Sequence, residues 1–184
     1  QAAEQGHEEA KECKERMEEE REQAALWIHE SEQGDPEVLH NLARYYEDGT
    51  GMEHNYELAK EYYTRAYKSE HLMASSALNT VEHMIGAEKG EPEAMHKLAV
   101  AYQYGEGVSD DIEEAIRWYK AAAEKGHSES QSSLGFIYRQ GSTVSKDISQ
   151  AVYWYKLAAA QGNSSALYGL GCIYLKGEGV DKDI

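Results

Sequence analysis

The sequence predicts an all-α protein, a solenoid of stacked helix pairs, on three observations. The first is a repeat: Gly90, Gly126 and Gly162 stand 36 residues apart, and each is followed at the same offsets by a leucine (Leu98, Leu134, Leu170), a tyrosine (Tyr102, Tyr138, Tyr174), a second glycine (Gly105, Gly141, Gly177), a valine (Val108, Val144, Val180) and an aspartate (Asp111, Asp147, Asp183). The second is periodicity, since Ala94, Leu98, Ala101 and Tyr102 recur at helical spacing. The third is composition: 23 Ala stand against 19 Val, Ile and Thr together, with 2 Pro, and helices favour that balance where strands favour its reverse. A unit of this length cannot bury both its faces alone, so copies stack and share a core.

Taken in chain order, residues 1–33 read as a charged helical segment and a degenerate repeat. Ala10, Cys13, Met17, Ala24 and Trp27 share one helical face, interrupted by Glu20, and between Glu8 and Glu22 there are eight Glu and four Lys or Arg. Such a run reads first as a solvated helix, with an acidic docking surface as the alternative. Residues 34–184 read as the repeat array. Its first copy starts at Gly34 and carries Leu42, Tyr46, Gly49, Gly51, Met52, Asn55, Ala59, Tyr62, Tyr63 and Ala66. It precedes the Gly90 copy by 56 residues, one period plus twenty, so residues of about 70–89 form a shortened unit that either distorts the stack or is a single bracing helix. In the Gly90 copy, Gly105 suits the left-handed residue that ends the first helix. Asp111-Ile112-Glu113-Glu114 opens the second as a capping box, repeated by Asp147-Ile148-Ser149-Gln150. Ala115, Tyr119 and Ala122 then form its apolar stripe; the alanines permit close approach, while Trp118 and Tyr119 fill space against the next unit. The Gly126 copy repeats these positions in Ala151, Trp154, Tyr155 and Ala158. The Gly162 copy stops at Ile184, which reads as truncation at the C-terminus, and Gln1-Ala2-Ala3-Glu4-Gln5-Gly6 reads as the tail of an earlier unit.

The run Ala94-x3-Leu98-x3-Tyr102-x2-Gly105-x-Gly107-Val108-x2-Asp111-x3-Ala115-x2-Trp118-Tyr119-x-Lys120-Ala121-Ala122-x3-Gly126 resembles the Sel-1-like repeat, a longer-loop relative of the tetratricopeptide repeat, over about residues 34–184. The resemblance implies a right-handed αα superhelix that binds other proteins. Some relatives carry a cysteine pair in each repeat; Cys13 and Cys172, the only cysteines here, do not reproduce it and read as small apolar helix residues.

The chain has 184 residues, 18 Lys and Arg against 34 Asp and Glu, and a net charge of −16. That balance argues against nucleic-acid binding and against anionic membrane surfaces and points to basic protein partners. No run approaches a membrane span. The expected setting is soluble, in the cytoplasm or in the periplasm or outside the cell, with any signal peptide lying upstream. The residues offer no recognisable catalytic, cofactor or metal motif. The eight histidines form no HExxH or Cys/His cluster; His71 and His83 share a helical face at best. Gly105-Glu106-Gly107 lacks the strand, the third glycine and the lysine of a phosphate loop, and no Gly-x-Ser-x-Gly is present. Asn163-Ser164-Ser165 fits a glycosylation sequon but falls at a helix start.

Function is then expected of a surface. In tetratricopeptide-like solenoids the first helix of each pair lines the concave face, and the resemblance places there the residues at −2 (His40, His96, Ser132, Tyr168), +2 (Arg44, Val100, Phe136, Cys172) and +5 (Glu47, Gln103, Arg139, Leu175) from the repeated leucine. These vary while the framework stays fixed. Phe136, the only phenylalanine, and Tyr168 are the expected anchors, with Arg139 expected to grip a partner carboxylate. The reading is a non-enzymatic, bacterial-type interaction module for a protein or peptide. The alternatives are an immunity protein that blocks a toxin or secreted effector and, by fold-level analogy alone, a hydrolase.

Overall fold

The structure, a computed structural model, describes residues 2–49, 54–141 and 144–178. These residues form nine helices and no strand: α1 (Ala2–Ser31), α2 (Pro36–Asp48), α3 (Tyr56–Lys68), α4 (Ala74–Glu88), α5 (Pro92–Tyr104), α6 (Ile112–Glu124), α7 (Ser128–Gln140), α8 (Ile148–Ala160) and α9 (Ser164–Lys176). The chain divides into two compact units, residues 1–85 and 86–184. In the first, α2 pairs with α3 and α1 packs on α2; in the second, α5 pairs with α6 and α7 with α8, while α9 packs on α8. The shortened unit contributes the single helix α4. In α1 the side chains of Ala10, Cys13, Met17 and Glu20 lie outside the described residues, as do Gly51, Met52, Val180 and Asp183. Of the expected α1 face, Ala24 is buried and Trp27 meets the Tyr45 ring edge-on at 6.5 Å.

The repeated framework is the core. Leu42, Leu98 and Leu134 are fully buried, and so are Ala59, Ala115 and Ala151, whose small side chains let the paired helices touch. In the second unit one cluster gathers Ala99, Ala115, Tyr119, Leu134, Ile137 and Trp154, and another gathers Ala151, Tyr155, Ala158, Ala166 and Ile173. Trp118, expected to be fully buried between helices, is only half-buried at the edge of the first cluster; its repeat partner Trp154 is buried.

The turns also depart from expectation in one respect. Gly105, at φ 69°, ends α5 in the left-handed region, as its place after the helix requires. Asp111 caps α6 by accepting from the backbone N–H of Glu113 and Glu114, each at 3.0 Å. The reciprocal half of the capping box is absent. The Asp111 backbone N–H donates to the Tyr102 carbonyl at 2.8 Å, and the Glu114 carboxylate accepts from Arg117 at 2.7 Å. Asn55 with Tyr46 and Asp147 with Tyr138 repeat the backbone link, which ties each second helix to the carbonyl of the repeated tyrosine on the first.

Candidate functional site: a groove in the second unit

An open groove of about 720 Å³ runs across α5, α7 and the start of α9. Seven of the twelve residues expected on the concave face line it: His96, Val100 and Gln103 from α5, Ser132, Phe136 and Arg139 from α7, and Tyr168 from α9. Phe136 is 51% exposed and Tyr168 76%. Neither side chain therefore serves as a packing plug. Tyr104, also exposed, joins them, and Tyr119, Tyr155, Ser133, Ile137, Glu129, Gly169 and Asn163-Ser164-Ser165 complete the walls. Asn163 is occupied as the cap of α9, accepting from Ala166 N–H at 3.0 Å. Cys172, half-buried, and Leu175, exposed, lie farther along α9 and do not line this groove. His40, Arg44 and Glu47 belong to α2 in the other unit: Arg44 is exposed, and the other two are engaged within that unit.

The +5 residues face an unexpected partner. Three of the four meet the matching tyrosine of their own second helix: Tyr63 donates to Glu47 at 2.5 Å, Tyr119 donates to Gln103 at 2.7 Å, and Tyr155 lies against Arg139. Burial raises the pKa of all three tyrosines, that of Tyr119 to about 12. Burial likewise lifts Glu47 to about 7, against the opposing hydrogen bond from Tyr63. Arg139 is not the free cation that was expected to grip a partner. Its Nε and Nη2 donate to the two Glu178 carboxylate oxygens at 3.2 and 3.4 Å, and the carboxylate is held below its usual range by that contact. Sequence spacing places Glu178 in a turn one repeat junction away, where no periodic rule pairs it with α7.

Sequence reading also missed a hydrogen-bonded chain beneath the groove. Ser130, fully buried in the first turn of α7, sits between two histidines, its Oγ 2.8 Å from His96 Nδ1 and 3.1 Å from His127 Nδ1. His127 caps α7, its Nδ1 receiving the Ser130 backbone N–H at 3.3 Å, and its Nε2 lies 3.0 Å from Glu93 and 3.5 Å from Glu129. Hydrogen bonds from His127 and Lys97 hold the Glu93 carboxyl low. Burial, with His127 next in weight, lowers His96. The other unit repeats the set 56 residues earlier as Glu37, His40 and His71, but Ala74 replaces Ser130. There the imidazoles stack at 4.3 Å and both Nδ1 atoms are buried without a protein partner among the described residues. The legible signal was the doubled spacing, His40 to His71 and His96 to His127, each with a glutamate one turn before the first histidine.

Glu93, His127 and Glu129 bring three metal-ligand atoms within 4.8 Å. They do not suit a metal ion bound through the imidazole. The Ser130 N–H can only donate, so Nδ1 of His127 is an acceptor and the ring proton stands on Nε2, which leaves no lone pair for a metal. Ser130, fully buried, is closed to a substrate as a nucleophile. The arrangement can bind; its one hydroxyl beside an imidazole, that of Ser130, is out of reach of a substrate.

The family model for the Sel1 repeat matches residues 36–71, 92–127, 128–163 and 164–184, and the chain belongs to the Sel1 repeat family. Repeats of this family act as protein–protein interaction modules. Among solved structures, a protective antigen of uropathogenic Escherichia coli with an SLR fold is 28% identical over 86% of this chain and 38% of its own, with a TM-score of 0.52. A Sel1 repeat protein from Oxalobacter formigenes is 26% identical over 87% of this chain and 64% of its own, with a TM-score of 0.49. An immunity protein from Pseudomonas aeruginosa is 20% identical over 78% and 59%, with a TM-score of 0.35. The chain thus spans under two thirds of the length of each of these three structures. No curated protein matches it. Among the described residues no helix is long and apolar enough to cross a membrane.

Proposed function

We propose that the chain is a non-enzymatic interaction module that takes a peptide segment of a partner protein into the groove of residues 86–184. The observation that carries this reading is the pair Phe136 and Tyr168, large aromatics held on rigid helices, more than half exposed, on the wall of an open groove. Their positions are filled in other copies by Arg44, Val100 and Cys172 and by His40, His96 and Ser132, so the stack itself does not require aromatics there. Supported aromatics of this kind are the usual anchors of interfaces. The −16 charge favours a basic partner.

Co-purification with mass spectrometry identifies the partner, and a captured toxin would give the module an immunity role. Against that partner, Phe136→Ala and Tyr168→Ala each weaken binding by about 2 kcal/mol while the melting temperature stays put. Normal binding by both variants, or a drop in stability in place of a drop in affinity, moves the interface elsewhere, with the acidic helix α1 the next surface to test.

A further inference from the structure

From His96 on the groove wall a directed chain of hydrogen bonds runs behind the lining residues through Ser130 and His127 to Glu93. Its direction follows from one group that can only donate, the Ser130 backbone N–H, which points at Nδ1 of His127. That nitrogen is an acceptor, so the His127 proton is on Nε2 and is donated to Glu93. The Ser130 hydroxyl also donates to Nδ1 of His127, so its oxygen accepts from Nδ1–H of His96. Nε2 of His96 is therefore left with a lone pair, and no described side chain fills it. His96 lines the groove, and so does Glu129, a carboxylate from the neighbouring helix. A neutral acceptor and an anionic acceptor at one end of a groove together call for a ligand with several N–H donors and a positive charge.

We propose that this end of the groove is a subsite for a lysine or arginine side chain of the partner peptide, gripped by the Glu129 carboxylate and by Nε2 of His96. The subsite rests on the groove reading above and narrows it. The unit that holds the groove carries 10 Lys and Arg against 14 Asp and Glu, which suits such a ligand, and the cation at the far end, Arg139, is already neutralised by Glu178. Metal is the competing cation, and binding it through His127 would have to displace the Nε2 proton that the Ser130 N–H at Nδ1 favours. Unit 1 supplies an internal contrast: with Ala74 in place of Ser130, the His40 ring is stacked on His71 but no hydrogen bond fixes its tautomer, so no such acceptor is defined there.

The subsite is sensitive to acid. The charged and titratable groups facing His96 are Glu93 and Lys97 on its own helix, Tyr119 on α6, and His127 and Glu129 at the start of α7. Burial and His127 lower its pKa, so the neutral acceptor persists through neutral pH. Protonation turns the acceptor into a donor and sets a cation against a cation.

Two measurements on the full chain decide the matter. Nitrogen-detected NMR of the imidazoles reads the tautomers, and a random-peptide display library supplies the ligand, selected on the native protein and rescreened on Phe136→Ala, Glu129→Gln and Ser130→Ala. The expected result is His96 protonated at Nδ1 and bare at Nε2. Groove-bound peptides share a Lys or Arg at one position, and their dissociation constant rises about tenfold in Glu129→Gln and in Ser130→Ala, and rises on acidification as His96 is protonated. Glu129 is exposed, so its variant folds even should the buried Ser130 variant fail. A proton on Nε2 of His96, enriched peptides that need Phe136 yet carry no common basic residue, or unchanged affinity in Glu129→Gln overturns the cation subsite and leaves the groove standing. If no enriched peptide depends on Phe136, the groove reading itself falls, and the subsite with it.

Discussion

Glu47 shows how one residue type redirects a repeated contact. Its carboxyl is largely buried and receives the Tyr63 hydroxyl, and burial raises it to about pH 7. Gln103 occupies the same place in the second unit and receives Tyr119 without any charge. A carboxyl whose folded pKa lies above its unfolded value of 4.5 binds more protons in the folded state between those two values. It therefore lowers stability progressively as pH rises through that window, and the loss is complete above about pH 7. The lost stability is on the order of 3 kcal/mol at most. Glu47→Gln keeps the acceptor for Tyr63 and removes the charge. Urea unfolding of the variant and of the native chain should agree near pH 4.5 and diverge toward pH 8, with the variant more stable there by about 1–3 kcal/mol. Equal stability at pH 8 would show that the carboxyl is solvated. The sequence placed Glu47, Gln103 and Arg139 at one repeat position but pointed them at the groove. Their shared tyrosine escaped notice because the contact runs between the two helices of a pair, and helical periodicity orders only one helix at a time.

Among the elements, helix identity, the turn glycines and the buried leucines were legible because each rests on local rules of spacing, capping and φ. The glycines inside helices were not, since their reason is a neighbour. Gly135 on α7 and Gly169 on α9 enclose the ring of Tyr155 from two sides; an added Cβ would lie 2.6 and 2.5 Å from ring atoms. Gly171, on the same helix as Gly169, has nothing within 4 Å of its Cβ position. The same substitution should thus have opposite signs. Gly135→Ala loses about 1–3 kcal/mol through overpacking, whereas Gly171→Ala is neutral or gains up to about 1 kcal/mol from helix propensity, both read as denaturation midpoints. A second contrast tests the turn. Asp111→Ala should lose about 1 kcal/mol with its two cap bonds, while Glu114→Ala, whose carboxylate serves Arg117 at the surface, changes stability by less than about 0.5 kcal/mol. Equal losses would restore the reciprocal capping box that the sequence suggested.

At the scale of the whole molecule, charge and binding surface are distributed differently. Residues 1–85 hold 8 Lys and Arg against 20 Asp and Glu, residues 86–184 hold 10 against 14, so most of the −16 sits outside the unit that contains the groove. Both buried clusters of the second unit and every groove-lining residue fall within 86–184. Repeat arrays are stabilised by each unit and its nearest neighbours, so this segment has what it needs to fold by itself. Long-range charge acts on the rate of encounter more than on the lifetime of a complex. The segment 86–184, produced alone, should therefore give a helical far-UV circular dichroism spectrum and release a basic groove peptide at nearly the rate of the full chain. Its association rate should be slower and only weakly dependent on salt, whereas the full chain associates faster at low ionic strength and loses that advantage as salt is added. An unfolded segment would show that the core of residues 86–184 is not self-sufficient. Identical salt dependence in the two proteins would show that the acidic charge of residues 1–85 takes no part in capture.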